Sequence, residues 1–422
     1  DYPFEYPHRS LKAEIYGLDY KTELEEEIDK ELGFQGNIWV QHPENQKVLL
    51  NSFFNCLQPK SSLIFFYCKH TPLSDPNERV IVGVAKVRNK IGKALEYSYP
   101  AGYTGNFSMV WDRCVEHTLT DKNEDGILLP YHEILSHIEK NGLEEELKEF
   151  VAFAPNFDQY SYASELVEHD TAIDSLLAVA DSLKRAESLL GKSYSKELKW
   201  VDNEISKVWD MRGVYPGMGP ILSALKIEQG NTIAWEIEKY IVDKDGDLLK
   251  TDPWQIFEDS FLQPTKYLKT NGAKLFNATI QRIWKSIPQK KKTLYKLFSR
   301  IQIDNNQAEF LVENYNSEIA TTDELIKNLY LIYEKTAYTY KDLFSFHLID
   351  KALFPPEKYQ KKFPLPTDVS LTDQLDERRV RALSTLVLEK ASSEGHTLLP
   401  LHDVLQRMES ITIDTPFPIN ED

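Results

Sequence analysis

The sequence predicts an α+β protein: a small β-rich N-terminal domain followed by a mostly helical region. Three observations lead there. Short β-branched or aromatic runs separated by turn residues crowd the first 155 positions. Beyond Pro155, apolar residues recur at spacings of three and four, the period of a half-buried helix. At 422 residues, 41% apolar and 12% aromatic, the chain has the length and apolar content for two or three cores and is no disordered tail.

In chain order, the first domain spans residues 1–155. Asn37–Val40, Leu63–Cys68, Val80–Arg88 and Leu95–Tyr99 read as strands, with turn clusters at Thr71–Asn77 and Asn89–Lys93 and a helix around Gln46–Leu57. Such spacing predicts a small barrel or a strongly curved sheet. In residues 156–211, Ile173, Leu176, Leu177, Ala180, Leu183 and Leu190 predict a long amphipathic helix over Ser161–Leu190. A second helix around Lys196–Met211 would pair with it as a hairpin or in a bundle. Residues 212–360 continue helical, opening on Gly213–Pro220, a Gly-rich turn that enters a helix carrying Ile221, Leu222, Ala224 and Leu225.

Such a turn can present free N–H groups to a phosphate, which makes Gly217 and Gly219 candidate backbone-contact residues. It looks like a helix-hairpin-helix turn, and a plain helix connection is the competing reading. Lys361–Asp373 reads as a linker, because Pro364 and Pro366 force extended backbone. Residues 374–422 form a helical hairpin. Its first helix places Val380, Leu383, Val387 and Ala391 on one face and ends at Gly395; its second starts at Pro400 with Leu401, Val404, Leu405 and Met408 as its buried stripe.

Composition limits function. No run of about 18 apolar residues exists to span a bilayer, so no membrane partner is expected. The opening DYPFEYPHRS lacks both Met and a signal-peptide pattern and is read as a processing boundary. Three cysteines, Cys56, Cys68 and Cys114, are too few for a disulfide framework, which points to a reducing cytoplasm. A net charge of -17 makes the average field repulsive to nucleic acid. The acidic runs Glu23–Asp29 and Glu144–Glu149 read as solvated helix faces.

The motifs of common catalytic chemistries fail on context. Gly191-Lys192-Ser193 has the end of a phosphate-binding loop, but Ala186 stands five residues earlier inside a helical pattern with no strand ahead, so no ATPase loop forms here. Asp121–Gly126 copies half a calcium loop, yet His132 occupies the place of the bidentate Glu. Asp243, Asp245 and Asp247 form a similar acidic turn. Glu197-Leu198-Lys199 has the letters of a nuclease motif on a helical stretch, and no cysteine pair has zinc spacing. His396, behind a helix-ending glycine, reads as a cap. No catalytic residue, metal or cofactor is expected of these residues.

The best functional lead is Arg282–Arg300, with seven Lys or Arg, no acid, and Trp284, Tyr295 and Phe298 interleaved. Lys285, Lys290, Lys291, Lys292, Lys296 and Arg300 are candidate phosphate contacts, the last three recurring every four residues on one helix face. Trp284 or Tyr295 could stack on a base, with core packing as the competing reading. In the first domain Trp39, Tyr67 and Trp111 are candidate walls of a base pocket.

Two resemblances add to this. Asp376–Pro400 (DERRVRALSTLVLEKASSEGHTLLP) resembles the end of the N-terminal helical region of RecD-like superfamily 1 DNA helicases, just ahead of the first motor domain. Leu297–Leu311, Leu325–Tyr333 and Phe346–Phe354 resemble further segments of that family in order, so the likeness runs over roughly Arg212–Phe417. Leu329 stands where the family carries proline, and Ile301–Asn316 lacks the glycines usual in DNA-gripping hairpins. In the first domain the strand SLIFFYC, a polar turn and Val82–Val87 resemble PUA-like barrels of the EVE and ASCH kind, which bind RNA or modified bases.

What the resemblance implies is a non-catalytic region that engages DNA, single-stranded or at a junction, or a protein partner. It would position that partner for an ATP-driven motor in a prokaryotic repair or anti-phage setting. ATP and Mg would belong to that motor. A modified-base reader and an acidic protein-interaction scaffold are the alternatives.

Overall fold

A computed structural model describes residues 54–69, 78–92, 113–119, 125–142, 144–155, 160, 167–238, 252–268, 273–337, 343–366 and 373–418, with Lys21, Glu23, Asn51, Thr71, Val369 and Leu371 as isolated positions. Trp39, Trp111, the expected strands Asn37–Val40 and Leu95–Tyr99, Asp121–Glu124 and the acidic turn at Asp243–Asp247 lie outside the described residues. The chain forms two compact units, residues 1–208 and 209–422. An antiparallel sheet in the first and helices in both make the protein α+β. Among the described residues no helix is long and apolar enough to cross a membrane.

The first unit is built on one long strand. β1 (Leu63–Cys68), β2 (Val80–Gly92), β3 (Arg113–His117) and β4 (Gly126–Leu128) are all antiparallel, and β2 pairs with each of the others. Its first half carries Val80, Ile81, Val84, Ala85 and Val87, all buried; its second half emerges into solvent, where β3 pairs with it. Register shifts at Phe66/Tyr67 and Val87/Asn89 bend the strands, as bulges do. Gly83 has a steric reason to be glycine. A Cβ there would come within 2.7 Å of the Ile127 carbonyl oxygen on β4. The described strands form a four-stranded antiparallel sheet.

Helices cover this sheet. α1 (Tyr131–Asn141) ends at Gly142 in the left-handed region and leads into a 3-10 turn at Glu144–Phe150. α2 (His169–Leu190) buries Ile173, Leu176, Val179, Leu183 and Ala186 along one stripe. It begins eight residues later than its periodicity suggests, at an extended Glu168. Its main neighbours are α1, the 3-10 turn and β2 rather than the next helix, α3 (Ser195–Arg212). Within this unit α3 is tied to the sheet by charge. Buried Lys86 of β2 lies 2.8 Å from Glu204 and 3.0 Å from Asp125, and Asp125 also accepts from Trp200 Nε1.

The second unit is helical throughout its described residues and has one contiguous core. In order come α4 (Met218–Ala224), α5 (Gly230–Glu238), α6 (Pro253–Asp259), α7 (Ala278–Ser286), α8 (Gln289–Phe298), α9 (Asn305–Glu318) and α10 (Thr322–Lys327). α11 (Leu331–Thr336), α12 (Phe346–Leu353), α13 (Glu357–Lys362), α14 (Glu377–Ser393) and α15 (Leu401–Glu409) follow. Several of their starts show side-chain capping chemistry: Asp304 and Thr321 each form a capping box, with Gln307 and Glu324, and Asn277, Ser345 and Asp376 cap α7, α12 and α14. The segment read as a linker is anchored, because Phe363 and Val369 are buried in it.

The α14–α15 hairpin departs from its sequence pattern in two ways. Arg379, a charged residue beside the apolar face, is wholly buried, clasping Asp350 through Nε and Nη2 at 2.8 Å each and donating to the Thr415 carbonyl at 2.6 Å. On α15 Met408 is buried, but Leu401 is 73% exposed and Leu405 37%. Gly395 ends α14 as its sequence suggests, at φ 91°. Its N–H donates to Ser392 O and that of His396 to Ala391 O, the paired bonds of a Schellman motif.

Candidate nucleic-acid interface

The basic stretch folds into α7 and α8, broken at Ile287-Pro288 because proline closes one helix and opens the next. On α7 the pair Ile280 and Trp284, four apart, faces the core, which leaves Arg282 and Lys285 exposed on the outer side. On α8 the inner face is Leu294, Tyr295, Leu297 and Phe298. Lys290 and Lys291 stand exposed in the first turn, where no side chain caps the helix and no acid complements its dipole.

Behind the cations lies an aromatic wall. Trp284 stacks on Trp254 of α6 with centroids 5.2 Å apart and planes 16° from parallel. Both are buried, 3% and 1% exposed. Trp254 Nε1 donates to Ser299 Oγ at 2.9 Å, and Trp284 Nε1 to Glu258 at 3.3 Å. Lys292 lies 5.1 Å over Trp284. Lys296 lies 5.9 Å over Trp254 and 3.1 Å from Glu258. These half-buried lysines are thus engaged with indole faces and a carboxylate.

The remaining expected residues separate. Arg300 is 3% exposed: its guanidinium packs 5.5 Å over Tyr215 and donates to the Phe363 carbonyl at 2.8 Å, and burial lowers its pKa. It is a core residue, out of reach of a phosphate on the surface, so the expected row of Lys292, Lys296 and Arg300 does not face solvent. Trp284 and Tyr295 are core as well; burial pushes the Tyr295 phenol up to about 12.

Gly217 donates its N–H to the Ser299 carbonyl at 2.9 Å, and a Cβ there would collide with the Ile301 carbonyl. A Cβ on Gly219 would stand 3.0 Å from Asn231 Cα. Both glycines serve close packing of the turn, at Gly217 against the α8–α9 connection and at Gly219 against α5. Lys290 pairs with Asp323 of α10 at 2.8 Å, holding that carboxyl below its ordinary range.

The cations of the basic stretch that stand exposed are therefore Arg282 and Lys285 on α7 and Lys290 and Lys291 on α8, a strip that runs along the chain across the Pro288 break. Lys285 and Lys291 have no ion pair among the described residues, and neither has Arg282, which was not among the expected contacts although it opens the acid-free window. Tyr67, on β1 of the other unit, sits edge-on to Tyr160 at 5.6 Å. Gly191 closes α2 in the left-handed region, and Lys192 and Ser193 bond Glu133 and Glu187, so the Gly-Lys-Ser triplet is a helix connection. Among the described residues no three His, Cys, Asp or Glu side chains gather as metal ligands would. Compared with protein-family models, with curated proteins and with solved structures, the chain matches none.

Proposed function

We propose that the chain is a non-catalytic region of a RecD-like DNA helicase that engages DNA and positions it for an ATP-driven motor. The observation that carries this is the Arg282–Lys291 strip. On a chain of net charge -17, a window without acids folds so that four cations stand exposed on two adjoining helices fixed from behind by a buried tryptophan pair. Phosphate contacts of this kind give affinity without base recognition and depend steeply on salt. The helicase setting rests on the likeness of Asp376–Pro400 to the segment that precedes the motor. Repair and anti-phage defence are the two settings that fit it.

The test is charge reversal. The triple variant K285E/K290E/K291E changes exposed positions and gives up one surface ion pair, Lys290–Asp323, so its circular dichroism should match the native chain and its melting should lie close to it. Its affinity for DNA at low salt should fall by about tenfold or more. Unchanged affinity by fluorescence anisotropy would remove the nucleic-acid role of this face.

One observation favours a second reading, a protein-interaction scaffold. Leu398 and Leu401 of the α14–α15 hairpin are 88% and 73% exposed, more than an isolated helical hairpin in solution gains from. Partner capture that survives the lysine variant and is lost in L398S/L401S would support it.

A further inference from the structure

We infer that the strip takes the phosphate backbone of duplex DNA, such as the duplex arm of a junction, and does not hold the bases of a single strand. The inference rests on the nucleic-acid reading above and narrows its ligand. Single-strand binders combine cations with exposed aromatic rings, because stacking an unpaired base adds about 1–3 kcal/mol per base to the phosphate contacts. Here the rings needed for that are committed elsewhere. Trp254 and Trp284 stack on each other, Lys292 and Lys296 lie over their faces, and Tyr295 and Phe298 are buried in the core. Among the described residues of α7 and α8, a base would meet lysine and arginine side chains and no exposed ring.

Phosphate is what remains to bind, and a duplex offers it more densely than a single strand. Counterion release then favours the duplex, with a salt slope of about -0.9 per contact against about -0.7 for a single strand. The carriers of charge are also set on rigid elements. Arg282 and Lys285 are three apart on α7, one above the other, and at most about 20 Å of chain separates Lys285 from Lys291. That span fits within one turn of a duplex, whose phosphates are themselves fixed in space. The strip is bordered by Glu258 and Asp323, each paired with a lysine, so its attraction is confined to the outer cations.

The experiment uses the full chain and three fluorescein-labelled probes: a duplex, one of its strands, and a strand of equal length with abasic sites in place of bases. Each is titrated across a salt series against the native chain and K285E/K290E/K291E. The affinity lost on charge reversal is the strip's own contribution. That contribution should be greatest for the duplex, with a slope of about -2.7 for the three lysines changed. It should be the same for the base-bearing and abasic strands. A contribution larger for the base-bearing strand than for the abasic one, or as large for a single strand as for the duplex, overturns the inference while leaving the nucleic-acid reading in place. If charge reversal changes affinity for none of the three, the nucleic-acid reading fails, and this inference with it.

Discussion

At the scale of single residues, the second unit is held by groups whose roles depend on being out of water. Arg379 and Asp350 form a buried bidentate pair to which Tyr330 adds its hydroxyl at 2.6 Å. Deleting one partner leaves an uncompensated buried charge. D350A is expected to lose about 3–5 kcal/mol in urea unfolding, and R379M/D350L less than the single variant. A D350A midpoint equal to native would show the pair to be dispensable. Gly217 is constrained by space instead, since a methyl group would meet the Ile301 carbonyl. G217A should therefore cost about 1–3 kcal/mol with DNA affinity retained in the folded fraction. Selective loss of DNA binding in a stable G217A would instead restore the turn as a backbone contact.

The helices show where local pattern and tertiary context part. Gly395 and Pro400 were legible because they act on the backbone within a few residues of themselves. The α2 stripe was legible in part: Ile173, Leu176 and Leu183 are buried as their spacing suggests, while Leu177, Ala180 and Leu190 are half-buried and Val179 and Ala186 complete the buried face. Less legible was what covers a stripe. Leu401, Val404, Leu405 and Met408 have helical spacing, yet only Met408 is buried, because spacing marks a face and says nothing of whether a neighbour fills it. M408A should accordingly destabilise by about 2–5 kcal/mol, whereas L401E should be close to neutral, both read from thermal and urea unfolding. The reverse order would mean that the hairpin face is packed in solution.

For the molecule as a whole, the change from period two to period 3.6 near Pro155 marks where strands give way to helices, but the two units divide only at residue 208, because the first helices after Pro155 belong to the sheet-bearing unit. The site was legible only in part. A run of cations without acids announced a strip, but which cations face out is decided by partners far away in sequence: Glu258 and Trp254 for Lys296, Tyr215 and Phe363 for Arg300.

Stability should also carry a pH signature. His347 is held down at about 4 from an ordinary 6.5, first by burial and then by the charge of Lys351. Below pH 6.5 the unfolded chain takes up a proton that the folded chain refuses. The stability present above that pH is thus lost progressively as pH falls toward 4. H347F should flatten this part of the profile of urea midpoint against pH; an identical profile would assign the dependence to other groups.

The near-parallel Trp254 and Trp284 rings carry one more consequence. Two indoles at 5.2 Å couple their electronic transitions, so the pair should give a near-ultraviolet circular dichroism couplet that W284F abolishes. That optical signal comes from beneath Lys292 and Lys296, behind the exposed cations, and needs no ligand. It would report whether the scaffold under a charge-reversed surface is intact.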